Sequence, residues 1–161
     1  MIQLSDRLLS MEESATIAMS RKSRELKALG KDVISLSLGE PDFNTPDFIK
    51  DAAKEAMKNN FTKYMPVPGY EDLRESISKK FKRDNNLDYS KDQIVVSTGA
   101  KQSIANVVMT LINPGDEVII PAPYWVSYIE IVKVSGGIPV IVNAGIEQDF
   151  KITGDDLSKA I

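Results

Sequence analysis

The sequence predicts an α/β fold with a mostly parallel sheet, and three observations carry that prediction. Short apolar runs of buried-strand type alternate with stretches of helical periodicity. Turn signals such as Gly39-Glu40-Pro41-Asp42 and Asn113-Pro114-Gly115-Asp116 separate them. The run Gln93-Ile94-Val95-Val96 passes directly into a helix through Ser97-Thr98-Gly99-Ala100-Lys101-Gln102, the strand–turn–helix join of a βαβ unit.

In chain order, Ile17, Leu26 and Leu29 give partial helical spacing between Glu12 and Leu29, with Gly30 as the C′ residue. Val33 to Leu38 alternates like a strand and is broken by Gly39-Glu40-Pro41. Thr45 as N-cap and Pro46 at N1 open a helix running to about Lys58. A loop, Phe61 to Gly69, contains two prolines and Tyr64. Leu73, Ile77 and Phe81 mark a further amphipathic helix, with Lys79, Lys80, Lys82 and Arg83 on its solvated side. Ile104, Val107, Val108 and Leu111 define the helix after Gly99. Strands are expected at Glu117 to Ile120 and Ile138 to Val142, separated by a helix from about Val126 to Val134. Asp149 to Ile152 reads as a minor strand, and Thr153 caps a last helix with Asp155 and Asp156 in its first turn.

In open sheets of this kind, ligands bind beyond the carboxyl ends of the strands. Three loops fall there: the one after Leu38, the Gly99 turn, and Pro121 to Trp125. The helix after Gly99 offers N–H groups without intrahelical partners and a partial positive charge, and the small Gly99 and Ala100 let an anion approach. That makes the turn a candidate phosphate seat, although ordinary βα turns share the same pattern. Gly39 permits close backbone approach to a ligand, or simply makes a Gly/Pro turn. Tyr64 is either a loop-borne functional residue or a ring lying on the surface.

Composition narrows the chemistry. The 161 residues carry a net charge of -3 with pI near 5.1, which leaves no electrostatic footprint for nucleic acid. Absence of Cys and His removes thiolate nucleophiles, Ser-His-Asp triads and histidine metal sites, and no metal site is expected. No apolar run is long enough to span a membrane, and Met1 to Arg7 lacks signal-peptide architecture, so the expected location is cytoplasmic. Neither G-x-G-x-x-G nor the P-loop pattern occurs.

Four motifs in order resemble one family. They are Ser37-Leu38-Gly39-Glu40-Pro41-Asp42-Phe43, then Lys63-Tyr64 with Pro68-Gly69, then Ser97 to Gln102, then Pro121-Ala122-Pro123-Tyr124-Trp125. Together they resemble the N-terminal part of class I, fold type I pyridoxal-phosphate-dependent aminotransferases, the last motif being most similar to bacterial aspartate aminotransferases. The resemblance implies a three-layer α/β/α domain with a mostly parallel sheet. It also implies an N-terminal arm and small-domain part over residues 1–45, and the first part of the large cofactor domain over 46–161.

The resemblance further implies roles. Gly99, Ala100 and Lys101 would bind the phosphate of pyridoxal phosphate through N–H groups, and Trp125 would stack on its ring and border the substrate. Gly39 would present its backbone to the substrate carboxylate. Tyr64 would reach across a homodimer to the partner's cofactor phosphate, and Ala122-Pro123 would be a cis peptide. Lys101 is not the Schiff-base lysine, which in the family lies far downstream of the matching position. The 161 residues therefore contain no catalytic residue of their own, and the chain is expected to be a fragment, truncated and inactive alone. The implied reaction moves an amino group from an amino acid, aspartate first, to a 2-oxo acid such as 2-oxoglutarate. An aromatic-amino-acid aminotransferase or a fold type I lyase would keep similar N-terminal motifs. A non-catalytic module binding a phosphate ligand or a partner protein is the alternative from another class.

Overall fold

The computed structural model of the chain describes residues 3–161. Its elements in order are α1 (Asp6–Leu9), α2 (Ala15–Ala28), α3 (Asp47–Lys58), α4 (Glu71–Asn85), α5 (Ala100–Leu111), β1 (Glu117–Ala122), α6 (Ser127–Val134), β2 (Ile138–Asn143) and α7 (Gly154–Ala160). Single 3-10 turns lie at Lys91–Gln93 and Ile146–Gln148. Packing divides the chain into two units, one of residues up to Gly39 together with Ala100–Ile161, the other of Glu40–Gly99.

The first unit is built on the βαβ element β1–α6–β2. Its two strands pair in parallel, in register from Glu117 opposite Ile138 to Ala122 opposite Asn143. Helix α6 returns the chain between them and packs against both strands, as a parallel connection requires. Ile120 from β1 and Val132 from α6 are buried at the centre of this unit, with Ala144 just beyond β2. Helix α5 packs on α6, and α7 on β2. Thr153 caps α7 as expected. Its hydroxyl accepts from the Asp156 N–H, while the Asp156 carboxylate accepts from the Thr153 N–H at 2.9 Å and its hydroxyl at 2.8 Å. These bonds, with a further one from Gln148, hold the Asp156 carboxyl below its ordinary pKa.

The second unit consists of α3, α4 and the loops around them. Arg74, on α4, donates to the carbonyls of Gly69 at 3.2 Å and Lys91 at 2.9 Å, and so ties the loop before the helix to the 3-10 turn after it. Lys91 pairs with Glu71 and Glu75; the Glu71 bond holds that carboxyl below its usual range. Helix α3 starts one residue later than expected, with Pro46 rather than Thr45 in the N-cap position.

Three expected strands are absent from the described residues. Val33 to Leu38 is irregular, with Ile34 and Leu36 exposed by 85% and 90%. The alternation is present, but no neighbouring strand supplies a hydrogen-bonded ladder. Ile94 is buried as a strand reading requires, yet the Val96 N–H finds only the Pro68 carbonyl, at 3.0 Å, and no ladder forms. Asp149 and Phe150 have φ of 53° and 55°, which turns 149–152 back on itself; the Phe150 N–H reaches the Gly145 carbonyl at 3.0 Å.

Gly69 is the most constrained glycine of the second unit. Its φ is +100°, and an added Cβ would lie 2.8 Å from Val96 Cγ2 and 2.9 Å from Val96 Cβ. Alanine there combines the left-handed penalty with overpacking. Gly69→Ala in the natural protein that carries this sequence is expected to cost about 2–4 kcal/mol. A urea melt should show this as a lower midpoint at unchanged m-value; an unchanged midpoint would show that the loop yields freely.

Candidate functional site

The turn into α5 is built as the sequence suggests. Gly99 adopts φ +84°, outside the range side-chain-bearing residues favour, and nothing lies within 4 Å of where its Cβ would be. Its requirement for glycine is therefore one of backbone angle rather than space. The Gly99 N–H itself donates to the Ser97 carbonyl at 2.8 Å. This changes the expected donor set: the local turn uses that N–H, and of the three expected donors those of Ala100 and Lys101, in the first turn of α5, remain as candidates.

Trp125 follows β1 and the cis peptide Ala122-Pro123, found where the motif leads one to expect it. The indole is 46% exposed. The Lys101 ammonium sits over it, Nζ 5.7 Å from the ring centroid. Two candidate residues from distant parts of the sequence thus meet within the first unit. Reading Lys101 through its N–H alone missed the side chain. A sign was its position in the first turn, since helical side chains lean toward the N-terminus and hence toward the turn.

Beside them runs a cleft of about 640 Å³, bordered by Met11, Ser14, Lys101, Tyr124, Ser127 and Glu130. The stretch before α2 is fastened to α6 here, the Glu12 N–H donating to Glu130 Oε2 at 3.2 Å. Tyr124 was not singled out from the sequence. Its place beside Trp125 in the Pro121 to Trp125 loop was the available signal.

The other candidates stand apart. Gly39, in the first unit, is exposed, with open space around its Cα. Tyr64, in the second unit, is fully exposed. No group of acidic residues suited to a metal occurs among the described residues, and no helix there is long and apolar enough to cross a membrane.

The parallel βαβ unit places the chain among the α/β proteins, and of the candidate residues Trp125 lies beyond the carboxyl end of one of its strands, β1, whereas the runs before Gly39 and Gly99 form no strand among the described residues. Comparison with known proteins makes this specific. The family model for aminotransferase class I and II matches residues 31–161, and the chain belongs to that family. A probable aspartate/prephenate aminotransferase of Rhizobium leguminosarum is 56% identical over 158 residues, 98% of this chain and 40% of the relative. An aspartate/prephenate aminotransferase of Nitrosomonas europaea is 52% identical over 160 residues, 99% of this chain and 40% of the relative. Among solved structures, the aspartate aminotransferase of Rhizobium meliloti superposes with TM-score 0.94 at 41% identity, covering 99% of this chain and 40% of that one. The Thermus thermophilus aspartate aminotransferase with maleate gives 0.94 at 41% identity, covering 100% and 42%. The chain thus has the α/β fold of the matching segment of these enzymes and spans about 40% of their length.

Proposed function

We propose that this chain supplies the cofactor platform of a pyridoxal-phosphate-dependent aminotransferase that moves the amino group of aspartate to 2-oxoglutarate and works as a cytoplasmic homodimer. The observation that carries the reading is the meeting of α5's first turn with the Trp125 indole, Lys101 Nζ lying 5.7 Å from the ring. An anion seat and a flat apolar platform side by side suit a ligand that joins a phosphate to an aromatic ring.

The residues present fit that ligand. The open space at Gly99 leaves the turn accessible to a phosphate, and the half-exposed indole offers a face. The N–H groups of Ala100 and Lys101 would hold the phosphate, with Gly99 keeping the turn in shape, and Trp125 would lie along the ring. When bound, pyridoxal phosphate supplies an electron sink for the electron pair released at the amino acid's Cα. The chain's own part is to bind and orient. Trp125 fixes the ring plane, and the backbone at Gly39 faces the substrate's α-carboxylate. Tyr64 serves the cofactor phosphate of a second copy, in keeping with its full exposure. Within the complete enzyme, residues 1–45 would contribute to the arm and small domain and 46–161 would begin the large domain. The names of the relatives support prephenate as a second amino acceptor.

The test uses the natural protein carrying this sequence, loaded with pyridoxal phosphate, aspartate and 2-oxoglutarate, with oxaloacetate as the readout. Turnover should be seen. Gly99→Ala should weaken pyridoxal phosphate binding about five- to thirty-fold, the equivalent of forcing alanine into a left-handed turn. No oxaloacetate above a cofactor-only control would reject the reading.

A further inference from the structure

We propose that Lys101 is a positioning residue whose ammonium, and not its N–H alone, sets the plane of the Trp125 indole. One residue would then link the opening of α5 to the ring platform. The inference rests on the reading of Trp125 as that platform.

Four observations lead to it. Lys101 Nζ stands 5.7 Å from the centre of the indole, within the distance at which a cation is attracted to a ring face. Two of the carboxylates that line the cleft with Lys101 are already engaged: Glu13 pairs with Arg21 at 2.9 Å and Glu130 with Lys133 at 3.1 Å. Among the described residues Lys101 makes no ion pair, so the indole is the partner the structure gives its charge. Neither ring–ring contact among the described residues involves Trp125, which leaves the half-exposed indole without an aromatic neighbour to fix its tilt.

The geometry has a chemical consequence. An exposed tryptophan can turn about two side-chain bonds, and each turn changes the plane it offers to a flat ligand. A cation held over the ring selects one of these orientations. Because Lys101 lies in the first turn of α5, its Cα is fixed by the same helix whose N–H groups would hold the phosphate. The indole plane is thereby referred to the phosphate seat through a single side chain. Truncating that side chain leaves the N–H in place, so the two contributions separate experimentally.

The experiment uses the natural protein labelled with fluorotryptophan, the Trp125 fluorine resonance being identified by its loss in Trp125→Phe. Lys101→Met keeps the N–H and most of the length but removes the charge; Lys101→Arg keeps a cation able to stack. In the cofactor-free protein, Lys101→Met should move the Trp125 resonance toward that of free fluorotryptophan, and Lys101→Arg should leave it near the wild-type position. Pyridoxine, which has the ring without phosphate or aldehyde, should bind about two- to five-fold more weakly to Lys101→Met, the loss of one exposed cation–π contact, with recovery in Lys101→Arg. A Trp125 resonance unmoved by Lys101→Met overturns the proposal, as does pyridoxine binding that the charge does not affect. If pyridoxal phosphate fails to bind the wild-type protein, the platform reading falls, and the cofactor-free resonances alone decide whether Lys101 orients the indole.

Discussion

Residues 1–161 produced on their own are expected to melt without a cooperative urea transition and to bind a hydrophobic dye such as ANS strongly. The reason is surface. The chain exposes 13254 Å², whereas a compact protein of its mass, 17.8 kDa, exposes about 8,000 Å². Large apolar side chains contribute to it: Ile34, Leu36, Phe43, Phe48 and Val67 are each at least 75% exposed. Among the described residues only Ile94, Ile120, Val132 and Ala144 are buried apolar side chains. The parallel sheet has two strands, while parallel sheets are normally covered on both faces and gain independent stability only with more strands. Each large side chain left in water forgoes about 1.5–3 kcal/mol, against a typical total stability of about 5–15 kcal/mol. Since the relatives are about two and a half times longer, they have chain with which to cover such surface. A sharp transition with an ordinary m-value and no dye binding would show that these 161 residues make a finished core. Amino transfer from aspartate by the same material would show that they hold the chemistry as well.

Local chemistry explains which parts of the fold were legible in the sequence. Helices announced themselves through spacing and caps. Leu73, Ile77 and Phe81 mark α4, and Thr153 with Asp156 makes the capping box of α7. Strands β1 and β2 were legible because their partners are each other, one helix apart. The runs 33–38 and 94–96 have equally suitable residues but no ladder among the described residues, and a strand exists only when a neighbour supplies hydrogen bonds. Asp149 and Phe150 failed as a strand through two left-handed φ angles that a short apolar pattern does not encode. For the candidate site, the sequence located the turn and the tryptophan. It did not reveal that Gly99 uses its N–H on Ser97, nor that the Lys101 ammonium lies over Trp125. Both depend on side-chain and backbone directions in three dimensions rather than on residue type.

Trp125→Ala is expected to weaken pyridoxal phosphate binding to the natural protein by about thirty- to 150-fold. The estimate combines the apolar area a ring buries against an indole with the extra attraction of stacked aromatic rings, together about 2–3 kcal/mol. The physical case for a large effect is the position of the indole. It lies just beyond the carboxyl end of β1, half-exposed, with its ring turned to the Lys101 ammonium at the start of α5. Alanine removes the flat surface while leaving the N–H groups of Ala100 and Lys101 where they are. Inorganic phosphate, which needs only those donors, should bind Trp125→Ala within about two-fold of wild type. Trp125→Phe keeps a smaller ring and should fall between the two in pyridoxal phosphate affinity. The measurement is equilibrium dialysis of pyridoxal phosphate and of phosphate against all three proteins. Equal pyridoxal phosphate affinity in Trp125→Ala and wild type would remove the indole from the site. A parallel loss of phosphate binding would show instead that the substitution had disturbed the turn into α5.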